Sequence, residues 1–339
     1  MSTSTRVSGR APERPRLDDP LLDRYLEFVE SRARRNTLLA TASDLRMFFA
    51  FAAKPPVEVT TADVLAFIAE QRRPRGDGRV VRLADGESGL SSRTIKRRLS
   101  SLSGLYVYLT MCEEAAANPV PRGLATRRPG RRGVALIRTP RTLPKILTPA
   151  EVDALMVALR RWRDRAMVEA MLLGALRRCE VLGLRIEDLR PGHGRLFVAN
   201  GKGGHQRLIP ISGRFFRSVA AYMECERPAE ANTDRLFVVL KGPRRGQPLS
   251  EDGLDEIIRG ARGRAGLAHI GCHGLRHTCL TRLREAGMAL EAVQAQAGHR
   301  SIESTRLYLH LANDWLAAEY HRAAQLTDAS RDVAEEVAR

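Results

Sequence analysis

The chain has 339 residues, 43% of them hydrophobic, and its 56 Lys and Arg outnumber 39 Asp and Glu for a net charge of +17. That length accommodates two domains, the apolar content excludes a disordered chain, and no apolar run approaches the roughly 20 residues that a membrane span needs. The charge excess is the footprint of a polyanionic partner, duplex DNA or RNA first, with a merely solvated Arg-rich surface as the alternative.

The N-terminus, "MSTSTRVSGRAPERPR", has no apolar h-region, so residues 1–19 read as a flexible tail and not as a secretory signal. Residues 20–118 are predicted as an all-helical unit. In "LLDRYLEFVESRAR", Leu22, Tyr25, Leu26 and Val29 share one face at helical spacing. A second apolar run, "ASDLRMFFAFA", carries Leu45, Phe48 and Phe49. "TTADVLAFIAE" opens with Thr60 and Asp63 as a cap and buries Val64, Phe67 and Ile68. In "SSRTIKRRLSSLSGLYVYL", Ile95, Leu99, Leu102, Tyr106 and Leu109 keep the helical period. Arg93, Lys96 and Arg97 then fall on the opposite face as candidate DNA contacts. The Gly-rich "RRPRGDGRVVRLADGESG" between the third and fourth helices reads as a surface loop.

Residues 119–146 are predicted as a linker. From Pro121 to Lys145 it holds eight basic residues and no acidic one, so it builds no core and suits a path along phosphates. Arg127, Arg128, Arg131 and Arg132 are its candidate DNA contacts, against the alternative of a solvated linker that touches nothing. A second domain is predicted over 147–326, followed by a tail at 327–339. It opens at Thr148, Pro149 and Glu151 with a capping box, and Val152, Leu155, Met156 and Leu159 mark the buried face. Two short strands flank a glycine turn in "GRLFVANGKGGHQRLIPI", "RLFVVL" is predicted as a further strand, and helices run from Ser250 to about Leu326. The fold class is therefore mainly α with a small antiparallel β-sheet.

"GHRSIESTRLYLH" places His299, Tyr308 and His310 close together in a chain with only six tyrosines and eight histidines. A tyrosine hydroxyl, with a pKa near 10, attacks a phosphodiester only with help. Cations must take up charge on the non-bridging oxygens, and an acid must protonate the leaving alkoxide. Arginine suits the first task because its planar fork grips phosphate bidentately and stays charged. Such groups are present. "CHGLRHTCLTRL" puts His273 and Arg276 three apart, "GALRRCEVLGL" carries Arg177 with Glu180 one turn on, and Lys202 sits in the glycine turn. Each taken singly has an ordinary reading: a structural Arg177–Glu180 ion pair, a solvated turn lysine, a packing tyrosine. Their joint occurrence carries the argument.

Four motifs in this order resemble those of the tyrosine recombinase (lambda-integrase-like) family. "GALRRCEVLGL" is similar to its T-G-L-R-x-S-E-L, "GKGGHQR" to its G-K-G-x-x-x-R, "HGLRHT" to its H-x-x-R box, and "AGHRSIESTRLYLH" to its L-G-H-x-S-I-x-x-T-x-x-Y. The resemblance spans roughly Leu147 to Leu311 and implies Arg177, Lys202, His273, Arg276, His299 and Tyr308 as catalytic residues, supported by Glu180. The N-terminal unit resembles, more loosely, the family's helical (SAM-like) core-binding domain, down to "ANPV". Arg178 stands where an apolar residue is usual, Cys179 where a small one is, Ala297 replaces the customary leucine, and the Arg72–Gly89 loop is longer than in compact members.

The resemblance implies a site-specific recombinase whose two domains clamp double-stranded DNA, with Arg177, Arg276 and either His273 or His299 on the scissile phosphate. Tyr308 attacks to form a 3'-phosphotyrosyl bond and Lys202 protonates the 5' oxygen. Energy is conserved in that bond, so no metal, nucleotide or other cofactor is expected. A homotetramer on synapsed sites is expected, with Asn313–Leu326 docking on a neighbour or packing on its own domain. The expected location is cytoplasmic, at the nucleoid, and the five cysteines without a CxxC pair fit reduced thiols. Three rivals are weighed. Cys272, His273, His277 and Cys279 are zinc-type ligands, but one helical turn does not easily aim all of them inward. A type IB topoisomerase would relax DNA as a monomer, and a DNA-binding regulator would bind without cutting.

Overall fold

The computed structural model describes residues 14–73, 89–121, 123, 136–138, 145–199, 206–268, 270–299 and 301–306. They fall into two compact units on either side of residue 141.

The first unit is helical. Helix α1 (Pro20–Arg32) starts where the Asp19 side chain accepts from the amides of Leu21 and Leu22, with Pro20 at its first position. It buries Leu22, Tyr25, Leu26 and Val29, the face its periodicity predicts. Helix α2 (Arg35–Ala52) begins earlier than the apolar run suggests, because Arg34 at its start supplies no side-chain cap that would mark it. Leu38, Ala42, Leu45 and Phe48 are buried there, and Phe49 is half-buried. Helix α3 (Thr61–Arg72) carries the predicted Thr60–Asp63 capping box. Helix α4 (Ser92–Met111) buries Ile95, Leu99, Leu102, Leu105, Tyr106 and Leu109. Fully burying a Leu or Phe contributes about 1.5–3 kcal/mol, so these faces hold the unit together. Leu136 and Ile137 correct the linker reading. They pack on this helical core, Ile137 being buried, because an apolar pair gains more from that core than from water. Most of the 72–89 loop lies outside the described residues.

In the second unit, helix α5 (Pro149–Ala158) has the Thr148–Glu151 capping box. Helix α6 (Trp162–Gly174) is buried on all sides from Ala166 to Leu172, as a helix at the centre of a domain must be. It packs against α8 (Gly213–Cys225) and α10 (Cys272–Glu285). Between them come α7 (Arg178–Gly183), the antiparallel strands β1 (Leu189–Arg190), β2 (Arg195–Val198) and β3 (Arg207–Pro210), in that spatial order, and later α9 (Glu251–Arg264). The register pairs Val198 with Arg207. Helices α11 (Leu290–Ala297) and α12 (Glu303–Arg306) follow α10.

Residues 235–240, expected as a strand, form none. Leu236, Phe237 and Val238 are fully buried, and their amides and carbonyls bond to scattered partners: Leu236 N–H to Leu184, Val238 N–H to the Tyr222 hydroxyl, and the Phe237 carbonyl to Leu249. The apolar run satisfies its backbone without a ladder, so β propensity misleads there. Among the described residues no helix is long and apolar enough to cross a membrane.

Candidate active site

The site is built around one buried carboxylate. After α6, Ala175 adopts a left-handed conformation (φ 55°) that ends the helix and turns the chain into Arg177. Glu180, on the first turn of α7, is 2% exposed. It accepts four hydrogen bonds: from the Arg177 amide at 2.9 Å, from Arg177 Nη1 at 2.7 Å, and from Arg207 Nη1 and Nη2 at 2.9 Å each. These occupy the roughly four lone-pair sites of a carboxylate. Burial pushes the Glu180 pKa up, but the Arg207 hydrogen bonds and charge, with Arg177, outweigh it and hold the group at about 2.

Arg276 sits beside this pair, with Nη1 3.9 Å from Glu180 and the side chain almost wholly buried. It donates to the Ala175 carbonyl, to the Ala297 carbonyl at 2.6 Å, and to His299 Nε2 at 3.2 Å. Arg177 Nη2 reaches the Gly298 carbonyl at 3.2 Å. The segments before α7 and after α11 are thus gathered by two arginines. Gln296 reinforces them, donating to the Gly174 and Pro210 carbonyls at 3.2 and 3.1 Å. Ala175, Cys279, Leu280, Val293 and Ala297 pack together as a small apolar cluster of their own.

A guanidinium only donates, so His299 Nε2 accepts and the ring proton lies on Nδ1, which donates to Thr305 Oγ1 at 3.0 Å. Burial, then the Arg276 and Arg177 charges, push His299 down to about 4. The same causes lower His273, and burial followed by His273 and Arg276 brings His277 to about 4. The His273 and His277 rings meet edge-on, with centroids 4.4 Å apart. Neutral imidazoles among arginines can take a proton or accept a hydrogen bond, while the guanidiniums supply fixed positive charge.

Arg177, Glu180, Arg276 and His299 are therefore brought together, and His273 lies close enough to Arg276 and Arg177 to feel their charges. Lys202, Tyr308, His310, Arg127, Arg128, Arg131, Arg132 and 313–326 lie outside the described residues. Arg93, Lys96 and Arg97 are exposed on α4, and Arg97 also pairs with the buried Asp44 of α2. Arg178 pairs with Glu251 and Asp255 of α9. The zinc-type residues diverge. Cys272 donates to Asp255 at 3.4 Å, and Cys279 is buried in the apolar cluster. Sequence reasoning overlooked Arg207. It closes the "GKGGHQR" stretch, and strand alternation aims it inward with buried Ile209, which requires an anionic partner. Thr305 had one as well, being the threonine of the motif matched by "AGHRSIESTRLYLH", whereas Gln296 had none.

Residues 145–314 match the family model described as the phage integrase family, and residues 22–112 match that of its N-terminal SAM-like domain. The chain belongs to the phage integrase family. Its relatives in that family include tyrosine recombinase XerC of Vibrio atlanticus, 31% identical over 240 residues that cover 69% of this chain and 73% of the relative. Tyrosine recombinase XerC of Roseiflexus castenholzii is 29% identical and covers 82% of this chain and 84% of itself. Among solved structures, the Tn1549 transposon integrase in complex with transposon right end DNA matches with a TM-score of 0.67 at 19% identity, over 90% of this integrase-family chain and 98% of that one. Lambda integrase bound to a core site matches at 0.61 and 20% identity, over 85% and 93%. The integrase fold is thus shared well beyond the level at which sequences remain alike.

Proposed function

We propose that this chain is a site-specific DNA recombinase that cuts and rejoins strands through Tyr308. The observation that supports this most is the convergence of Arg177, Arg276 and His299, from three separate stretches, beside one buried carboxylate. Two guanidiniums beside a carboxylate whose acceptor positions are already filled, with a neutral imidazole next to them, suit a phosphate or a similar anion. The Tyr308 oxygen attacks the scissile phosphorus and its proton passes to His273, whose pKa burial and the Arg276 and Arg177 charges lower. The bond from phosphorus to the 5' oxygen breaks, Lys202 gives that oxygen a proton, and a 3'-phosphotyrosyl bond remains. The 5'-hydroxyl of a partner strand then attacks, restores the phosphodiester and releases Tyr308.

The helical unit and the basic linker supply sequence-independent grip, with Arg93 and Lys96 on the exposed face of α4. Strand exchange takes place in a tetramer on synapsed sites at the nucleoid; a lambda integrase tetramer bound to a Holliday junction shares this fold, with a TM-score of 0.60. The amphipathic stretch 313–326 of one protomer docks on its neighbour. An apolar recess of about 410 Å³, lined by residues that include Leu172, Pro210, Ile211, Leu283 and Met288, offers it a seat.

The test uses duplexes selected from a randomised pool for binding to the full chain, nicked beside the cleavage position so that the 5' product is lost. A protein–DNA adduct that survives denaturant is expected, and Tyr308→Phe abolishes it. An adduct formed equally well by Tyr308→Phe removes the assignment.

A further inference from the structure

Arg207 is neither among the family-motif residues assigned to catalysis nor a surface residue. Its side chain is 13% exposed, and both Nη atoms are committed to Glu180 in an end-on fork. Its Nε is buried without a hydrogen-bond partner, so the fork alone sets the orientation of the guanidinium. The group also lies flat against Gly298. A Cβ built there would stand 3.0 Å from Arg207 Nη1 and 3.1 Å from Cζ, and Gly298 is left-handed with φ 60°. Only glycine combines that backbone with that approach.

The carboxylate has no lone pair left once Arg207 and Arg177 are in place. Arg276 stays 3.9 Å away and directs its Nη atoms at main-chain carbonyls and His299. Without Arg207, two acceptor positions on a buried anion would open within reach of both remaining arginines. Leaving such an anion half-satisfied is costly, so a neighbouring cation would be drawn to it.

We infer that Arg207 is a positioning residue that saturates Glu180 and thereby keeps Arg177 and Arg276 aimed at the scissile phosphate. This rests on the recombinase reading above. It does not make Arg207 a catalytic residue. In charge terms, three guanidiniums surround one carboxylate. Removing Arg207 leaves two against one, and removing Glu180 as well leaves two against none.

The experiment measures adduct formation on the selected nicked duplexes under single-turnover conditions, with DNA affinity measured in parallel. Arg207→Gln is expected to slow cleavage by about 10- to 100-fold, the effect of misplacing a phosphate clamp by an ångström or so, while Kd changes less than about threefold. Adding Glu180→Gln to Arg207→Gln is expected to recover about tenfold or more of the lost rate, because the anion that draws the arginines away is gone. A merely structural Arg207 would make the double variant equal to the single one or worse. Wild-type cleavage by Arg207→Gln overturns the inference, and so does a folded double variant no faster than the single one. If Arg207→Gln does not fold, Arg207→Lys takes its place, with a smaller slowing and the same rescue. Failure of the recombinase reading is separate: then the wild-type chain forms no adduct at all, or Tyr308→Phe still forms it.

Discussion

Glu180 shows how the site's charges are kept in balance. A carboxylate this deeply buried would ordinarily take a proton, yet four hydrogen bonds and flanking guanidiniums keep it ionised to about pH 2, against an ordinary value of 4.5. A depressed value means that its contribution to stability is complete above pH 4.5 and is lost as pH falls through about 2. His299 behaves in the same direction for a different reason. It is buried neutral, so its contribution is complete above 6.5 and is lost as pH falls to about 4. The urea midpoint of the full chain is therefore expected to decline from pH 6.5 downward. Glu180→Gln should flatten the part between 4.5 and 2 and cost about 3–5 kcal/mol at neutral pH, since it unpairs a buried cluster. An unchanged acid limb in Glu180→Gln would contradict this account.

At the level of elements, α4 does two jobs with two faces. Leu102 is 1% exposed in the helical core, so Leu102→Ala should cost about 2–5 kcal/mol by chemical denaturation. Asp44 is buried and holds both Arg97 and Ser101, so Asp44→Ala should be destabilising by about 3–5 kcal/mol and release Arg97. Equal stability of either variant and the wild type would refute these packing roles. The buried faces of α1 and α4 and the two capping boxes were legible in the sequence because they depend on local spacing and on side chains within one turn. The start of α2 was not, since Arg34 offers no cap. Nor was the behaviour of 235–240, whose bonding partners lie on segments near residues 184, 222 and 249. Motif residues such as Arg177 and Arg276 could be named from sequence. The Arg177–Glu180 pair was legible too, because its members lie three residues apart; the share that Arg207 and Arg276 take in Glu180 was not, because it depends on where β3 and α10 lie against α7.

For the whole molecule, the excess of +17 is the dominant fact. Binding dominated by phosphate contacts loses affinity with salt, with a log–log slope of about −0.9 for each phosphate neutralised. Arg93→Ala combined with Lys96→Ala should therefore shallow that slope by roughly 2 on duplex DNA while leaving thermal stability within about 0.5 kcal/mol. Titrations at several salt concentrations decide it, and an unchanged slope would move the DNA-facing role to another surface. Lambda integrase and the Tn1549 transposon integrase share this fold at 19–20% identity, so the fold endures while most of the sequence changes.

Arg276 gives one reason for that endurance. Its anchors at positions 175 and 297 are main-chain oxygens, which every amino acid supplies. Mutation can therefore replace the side chains at both positions without taking an acceptor away. Any side chain at position 297 leaves that acceptor in place, so the grip of Arg276 is insulated from substitution at the residues that touch it most closely.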